Sequence, residues 1–231
     1  MSEPCNLDGW NADILTTWAT YSIERGAFED DDNCVIFARG GINNGGGGNQ
    51  ALYRTDWFGD HSRVQARVKI SGLESQGINI GGGLLGRYTP LEGGHPGCPL
   101  DCPPYACSGP DLPSGGTGYA AYIHINTQGP ETVQLVRIDG TFAPQPNYCY
   151  ATDQLLLGDA TLTLDSETWY FFELEMIGDT IRVKLDNAVI LEAQDGTYSS
   201  GLAGLYYHGS RPGNNNQPPE VWYDDVGFEG S

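Results

Sequence analysis

The sequence predicts an all-β protein, an antiparallel sandwich or jelly roll, on three observations. Residues 168–191, TWYFFELEMIGDTIRVKLDNAVIL, read as a β-hairpin whose pairing can be written down. Short alternating or apolar segments recur along the chain, and 33 glycines and 14 prolines punctuate them. No long segment carries a helical period, and a short helix near Asp8–Thr17 or Asp165–Thr168 is all the helix expected.

The hairpin sets the argument. With Gly178-Asp179 as a two-residue loop of the type II′ kind, Met176 faces Ile181, Leu174 faces Val183 and Phe172 faces Leu185. On the opposite side Glu175 faces Arg182 and Glu173 faces Lys184. Apolar meets apolar and opposite charges meet, so one register satisfies both faces of a ribbon with one wet side. Asp186-Asn187 offers a second turn, from which Leu185 faces Ala188 and Val183 faces Ile190. The next step sets Ile181 against Glu192, so that ribbon is expected to end or bulge there.

The other strands follow in chain order. Cys34–Ala38 opens the series, and Ser62–Ile70 alternates without a fault: Val64, Ala66, Val68 and Ile70 inward, Arg63, Gln65, Arg67 and Lys69 outward. Ile78–Leu85, Tyr119–Ile125, Thr132–Ile138, Ala160–Leu164, Leu202–Tyr207 and Val221–Phe228 complete the set. Gly40–Gln50, the cysteine-, proline- and glycine-rich insertion Arg87–Gly118, and His208–Glu220 read as loops, where binding usually sits on a rigid sandwich. Neither an internal repeat nor a linker between two cores is visible, so residues 1–231 read as a single domain carrying the 87–118 insertion.

Composition narrows the function classes. The net charge is −19, and Lys69 and Lys184 are the lysines of the whole chain. Such a surface repels phosphate backbones and argues against nucleic-acid binding. No run of about 18 consecutive apolar residues exists, which argues against membrane insertion. Cys5, Cys34, Cys98, Cys102, Cys107 and Cys149 are even in number and suit disulfides in an oxidising compartment. His95 with Cys98, Cys102 and Cys107 leaves zinc open as the alternative, although the spacing is irregular. The opening MSEPCNLDGWNAD has neither a basic nor an apolar region and is not read as a signal peptide. A virion or extracellular location reconciles the cysteines with that start.

From ARVKI through INIGGGLLGRY, GYAAYIHI, VQLVRI, the hairpin and SGLAGLYY to VWYDDVGF, the succession resembles the concanavalin A-like, laminin G-like jelly-roll superfamily. The likeness covers about Arg63 to Phe228 and leaves out the first sixty residues and the 87–118 insertion. It implies two stacked antiparallel sheets and, often, glycan binding or adhesion. It does not choose among lectins, glycosidases, lyases and structural proteins.

Candidate sites follow. The Glu-x-Asp-x-(x)-Glu run of jelly-roll glucanases is absent, and Glu173-x-Glu175 faces Lys184 and Arg182, which reads as a salt-bridged ribbon. No hydrolase or phosphate-loop motif occurs. Asp30 and Asp32 cluster hard oxygen ligands, and Asp224-Asp225 in the closing strand matches, loosely, the acidic residue that meets an N-terminal ligand in related calcium sites. Structural calcium is therefore the cofactor expected. Among aromatics near loops, Trp57, Tyr88 and Tyr105 are the candidates for stacking on a sugar.

Three functions are carried forward. First is a non-enzymatic virion-surface protein that decorates and stabilises a capsid, with other subunits of the assembly or a homo-oligomer as partners. The alternative is an extracellular carbohydrate-binding module or lectin, with glycans as partners. Third is a glycan-cleaving hydrolase or lyase.

Overall fold

The computed structural model describes residues 10–14, 19–25, 34–40, 48–60, 62–71, 79–90, 116–126, 129–142, 152–165, 167–210 and 220–230. They form fourteen strands: β1 (Trp10–Ile14), β2 (Ala19–Arg25), β3 (Cys34–Gly40), β4 (Gly48–Gly59), β5 (Ser62–Ser71), β6 (Asn79–Pro90), β7 (Gly116–Asn126), β8 (Thr132–Phe142), β9 (Thr152–Thr161), β10 (Tyr170–Ile177), β11 (Thr180–Leu185), β12 (Ala188–Gln194), β13 (Gly201–Ser210) and β14 (Glu220–Glu229). Sheet I runs β1-β4-β13-β6-β7-β8-β9 and sheet II runs β12-β11-β10-β5-β14-β3-β2. Every neighbouring pair is antiparallel.

The opening hairpin has the register read from its residues, Phe172↔Leu185 through Met176↔Ile181. Gly178 turns with φ 56°, the positive value that the first position of a type II′ loop needs. β5 lies on the other side of β10, with Val64, Ala66, Val68 and Ile70 all buried. These residues meet Leu52, Leu84, Tyr119, Ile123 and Leu205 of sheet I in the main core. Gly82 permits that approach, since a Cβ there would lie 2.1 Å from Val221 Cγ1 across the sandwich.

Four expectations are corrected. The β11–β12 ribbon bulges between Val183 and Lys184, one step earlier than expected, so Val183 pairs with Leu191 rather than Ile190. The slip sets Ile181 against Ala193 and Arg182 against Glu192, whose carboxylate accepts from the guanidinium at 2.7 Å. One extra residue thus keeps apolar against apolar where the regular register would not. Ala160–Leu164 is not a strand as such; β9 is Thr152–Thr161, and the chain leaves the sheet after it. The described parts of both expected helices are not helical: Trp10–Ile14 is β1, and Glu167 has φ 64° in a turn. Finally, the expected loops lose their ends to strands, since Gly48–Gln50 belongs to β4, Arg87–Pro90 to β6, Gly116–Gly118 to β7 and His208–Ser210 to β13.

The two sheets differ in their outward faces. Sheet II carries charge there: Lys184 Nζ lies 2.5 Å from Glu173 Oε1 and 3.1 Å from Glu175 Oε1. Much of sheet I is buried on both sides. Alternate residues feed the main core on one side and a second buried cluster, including Ala51, Tyr53, Leu85, Ala120, Tyr122, Val136, Ile138 and Tyr206, on the other. Burial on both faces explains near-continuous apolar runs such as YAAYIHI.

Candidate functional site

The outward face of sheet I is the place where the described residues collect polar groups over an aromatic floor. β7 contributes Tyr122 and His124, β13 Tyr206 and His208, β8 Thr132 and Gln134, and β9 Gln154, all on this side by register. Glycines make the floor. A Cβ on Gly81 would lie 2.6 Å from Tyr122 Cδ2, and one on Gly83 would lie 2.0 Å from Ala121 O. On β13, a Cβ on Gly204 would lie 2.1 Å from Leu52 O. The alternation of glycine on β6 and β13 therefore lets tyrosine rings lie close on the sheet instead of standing off it.

The rings form a connected array. Tyr122 sits 5.1 Å from Tyr206 and 5.6 Å from His208, centroid to centroid, and His124 meets His208 edge-on at 5.6 Å. The tyrosine hydroxyls hold the two glutamines. Tyr122 OH donates to Gln134 Oε1 at 2.6 Å, and Gln154 Nε2 donates to Tyr206 OH at 2.8 Å. Gln134 Nε2 reaches Thr132 Oγ1 only at 3.5 Å, a weak contact. Each amide is thus oriented by one strong bond and keeps further hydrogen-bonding capacity. Tyr122 and Tyr206 are buried, whereas His124, Gln134, Gln154 and His208 are half-buried and present their edges.

The two imidazoles of the face are neutral at neutral pH, and Asp159, opposite Gln134 in the β8–β9 ladder, is the acidic side chain at its border. Burial, with a smaller contribution from His124, depresses His208 to about 4, and burial lowers His124 as well. Burial also raises the Tyr122 phenol to about 12 and pushes Tyr206 up. Neutral imidazoles, amides and phenols offer both donors and acceptors without attracting an ion.

A second polar cluster lies at the sandwich's end, on the inward side. Tyr119 OH donates to Asp195 Oδ1 at 2.6 Å, and Arg137 Nη1 donates to Asp195 Oδ2 at 2.8 Å. Arg137 also binds Asp139 through two bonds of 2.6 and 3.0 Å, and Tyr198 OH donates to Asp139 Oδ1 at 2.9 Å. Burial alone would raise the Asp195 carboxyl, but bonds from Tyr119, Thr197 and Arg137 outweigh it and hold it at about 2. Two carboxylates this well paired fasten the 195–198 segment rather than act as acid and base.

The candidates from sequence separate. Tyr88 lies in β6 with its ring fully buried, 5.4 Å from Tyr53. Trp57 is half-buried between Trp10 at 5.3 Å and Phe228 at 5.9 Å, with the Arg54 guanidinium 5.2 Å from its ring. Asp224 is 3% exposed, and Arg67 Nη1 stands 4.0 Å from it and 3.9 Å from the exposed Asp225. Burial raises the Asp224 carboxyl. Two carboxylates beside a guanidinium fall short of the roughly six or more oxygens of a calcium shell. No group of three or more metal-ligating side chains occurs among the described residues. Asp30, Asp32 and Tyr105 lie outside the described residues, as do Cys5, Cys98, Cys102, Cys107 and Cys149; Cys34 opens β3, and its side chain is not described.

Gln134, Gln154, His124 and His208 were not among the sequence's candidates. Their signal was present in alternation: Ala120, Tyr122 and His124 share one face while Tyr119, Ala121 and Ile123 share the other, and neither face reads as fully solvated.

No protein-family model matches the sequence, and no curated protein matches it either. Solved structures do share its fold. Carbohydrate-binding module CBM66 from Bacillus subtilis superposes with a TM-score of 0.54 at 13% identity, covering 97% of each chain. The metal-free carbohydrate recognition domain of Emp46p gives 0.54 at 11% identity, over 100% of this chain and 94% of that one. A Bacillus subtilis protein of unknown function with a galectin-like fold gives 0.52 at 13% identity, over 96% and 90%. At such identities the likeness is one of fold. The chain has the antiparallel jelly-roll β-sandwich fold that these structures share, as its strand succession implied.

Proposed function

We propose that this protein binds carbohydrate through the outward face of sheet I, without chemistry on it, and that the ligand is an uncharged glycan. One observation carries the reading: two glutamine amides, pinned by the Tyr122 and Tyr206 hydroxyls, stand beside the His124–His208 pair over an aromatic floor. A sugar hydroxyl both donates and accepts, and oriented amides and imidazoles match it, while the buried tyrosines beneath fix their positions. The net charge of −19 opposes uronates and sulfated sugars. Likeness to a carbohydrate-binding module and a carbohydrate recognition domain supports the same reading.

The virion-decoration function, placed first from sequence, gives way to its alternative. The exposed Leu155 and Leu156 on edge strand β9 and Val189 on edge strand β12 would suit a subunit contact, but the similar structures favour sugars. An enzyme would need a carboxylate pair about a glycosidic bond, and Glu173 and Glu175 are engaged by Lys184. A glycan-binding role agrees with an extracellular location and with residues 1–231 acting as one domain. Structural calcium would have to draw on Asp30 and Asp32; a melting curve unmoved by a chelator removes it. An array of neutral, uronate and sulfated glycans tests the main reading. Signal on neutral glycans is expected, and a blank array overturns it.

A further inference from the structure

Arg87 is a charged side chain where a charge is costly. It is 1% exposed, it has φ 49°, and it sits at the irregularity between Gly86 and Thr89 in the β6–β7 pairing. Its guanidinium is held by backbone carbonyls from three separate segments. Nη1 donates to Gly178 O at 2.8 Å and to Tyr198 O at 3.0 Å. Nη2 donates to Asp60 O at 3.0 Å and to Met176 O at 3.1 Å. Burial lowers its pKa, and the charges of Asp179 and Asp60 act in the opposite direction. Nε is buried without a hydrogen-bond partner.

Four converging carbonyl oxygens with two aspartates in range is oxygen-donor chemistry that suits a hard cation. Calcium takes about six to eight such oxygens, drawn from carbonyls, carboxylates and water. A guanidinium fits the cage imperfectly, because its fifth N–H finds no acceptor. Yet the cage's demand for positive charge is real, since carbonyl dipoles from three segments turn inward on the two Nη atoms.

We infer that the carbonyls of Asp60, Met176, Gly178 and Tyr198 form a cation site whose occupant is the protein's own Arg87. The guanidinium does there what a bound calcium ion does elsewhere: it ties the β4–β5 turn, the β10–β11 turn and the segment before β13 to the middle of sheet I. The site is therefore closed to metal in the native chain and opens to a calcium-sized cation when the side chain is cut back. This inference is independent of the glycan-binding reading, since none of these residues lies on that face.

The test compares Arg87→Ala with the wild type and with Arg87→Met, following thermal unfolding with calcium chloride, magnesium chloride or methylguanidinium, each at millimolar concentration. Arg87→Ala is expected to melt well below the wild type. Calcium and methylguanidinium are expected to restore several degrees beyond any shift they cause in the wild type, with magnesium weaker. Arg87→Met keeps the cage filled with an uncharged stem and is expected to show no such increment. If Arg87→Ala fails to fold alone, its refolding from urea is measured with and without calcium, and recovery only with the cation supports the inference. No added response in Arg87→Ala, no calcium-dependent refolding, or an equal response in Arg87→Met overturns it.

Discussion

Gly83→Ala should be among the most damaging single-methyl additions on sheet I, and the structure allows its size to be worked out. The new Cβ would lie 2.0 Å from Ala121 O, 2.5 Å from Tyr122 Cα and 2.7 Å from Tyr122 Cβ. Two of these atoms are backbone, so no rotamer change relieves the clash, and β6 and β7 must part where Gly83 pairs with Tyr122. Overpacking of this kind costs about 1–3 kcal/mol, and each ladder hydrogen bond lost adds about 1 kcal/mol. A loss of roughly 3 kcal/mol or more is expected, which at a urea slope near 2 kcal/mol/M moves the unfolding midpoint down by about 1.5 M. Gly158→Ala is the matched control. Its Cβ would meet only Leu191 Cδ2, at 3.5 Å, an ordinary contact. There the smaller freedom of the unfolded chain leaves stability unchanged or raised by about 0.4–1 kcal/mol. Urea unfolding followed by tryptophan fluorescence measures both. Equal and small midpoint shifts in the two variants would refute the claim that close strand approach at β6 builds the aromatic floor.

Three further outcomes are expected. Stability should fall with acid in two windows: His208 is held at about 4 against an ordinary 6.5, so the unfolded chain takes the proton first and stability declines from about pH 6.5 to 4, by at most about 3 kcal/mol. Asp195, held at about 2 against 3.8, adds a second decline below about pH 4; His208→Gln should reduce the first decline, leaving the part His124 contributes, and an unchanged slope in that variant contradicts the assignment. Lys184→Met leaves Glu173, which is 5% exposed, with only the Arg63 guanidinium at 3.9 Å, and should cost about 3 kcal/mol or less, most of it regained in the double variant with Glu173→Leu; a single variant as stable as the wild type refutes this. Three intramolecular disulfides predict that alkylation adds mass at six cysteines only after reduction, whereas six additions without reductant contradict the bridges.

The legibility of this fold varied with how many constraints acted on each segment. In β10–β11 the apolar pairs and the charge pairs both select one register, so pairing could be written residue by residue. The bulge at Val183 was readable as a conflict, Ile181 against Glu192, but not as a position, because either side of the conflict can absorb the extra residue. β1, β2 and β4 were missed, since their glycine-rich and mixed surroundings carry turn chemistry as strongly as strand alternation. The candidate face was hidden for a different reason. Single residues near loops attract attention, whereas Gln134 and Gln154 are linked only through the Tyr122–Tyr206 contact, and His124 meets His208 only because β6 intervenes between β7 and β13. Tyr88 shows the converse, a ring beside a loop in sequence that folds inward.

The central claim is that the outward face of sheet I holds an uncharged glycan by its oriented amides. Isothermal titration of the best neutral glycan from the array, into the wild type and into Gln134→Ala/Gln154→Ala, tests it most directly. Binding by the wild type and its loss in a double variant that unfolds at the same urea concentration is the predicted result. Undiminished binding by that variant, or preferred binding of an acidic glycan, would contradict it.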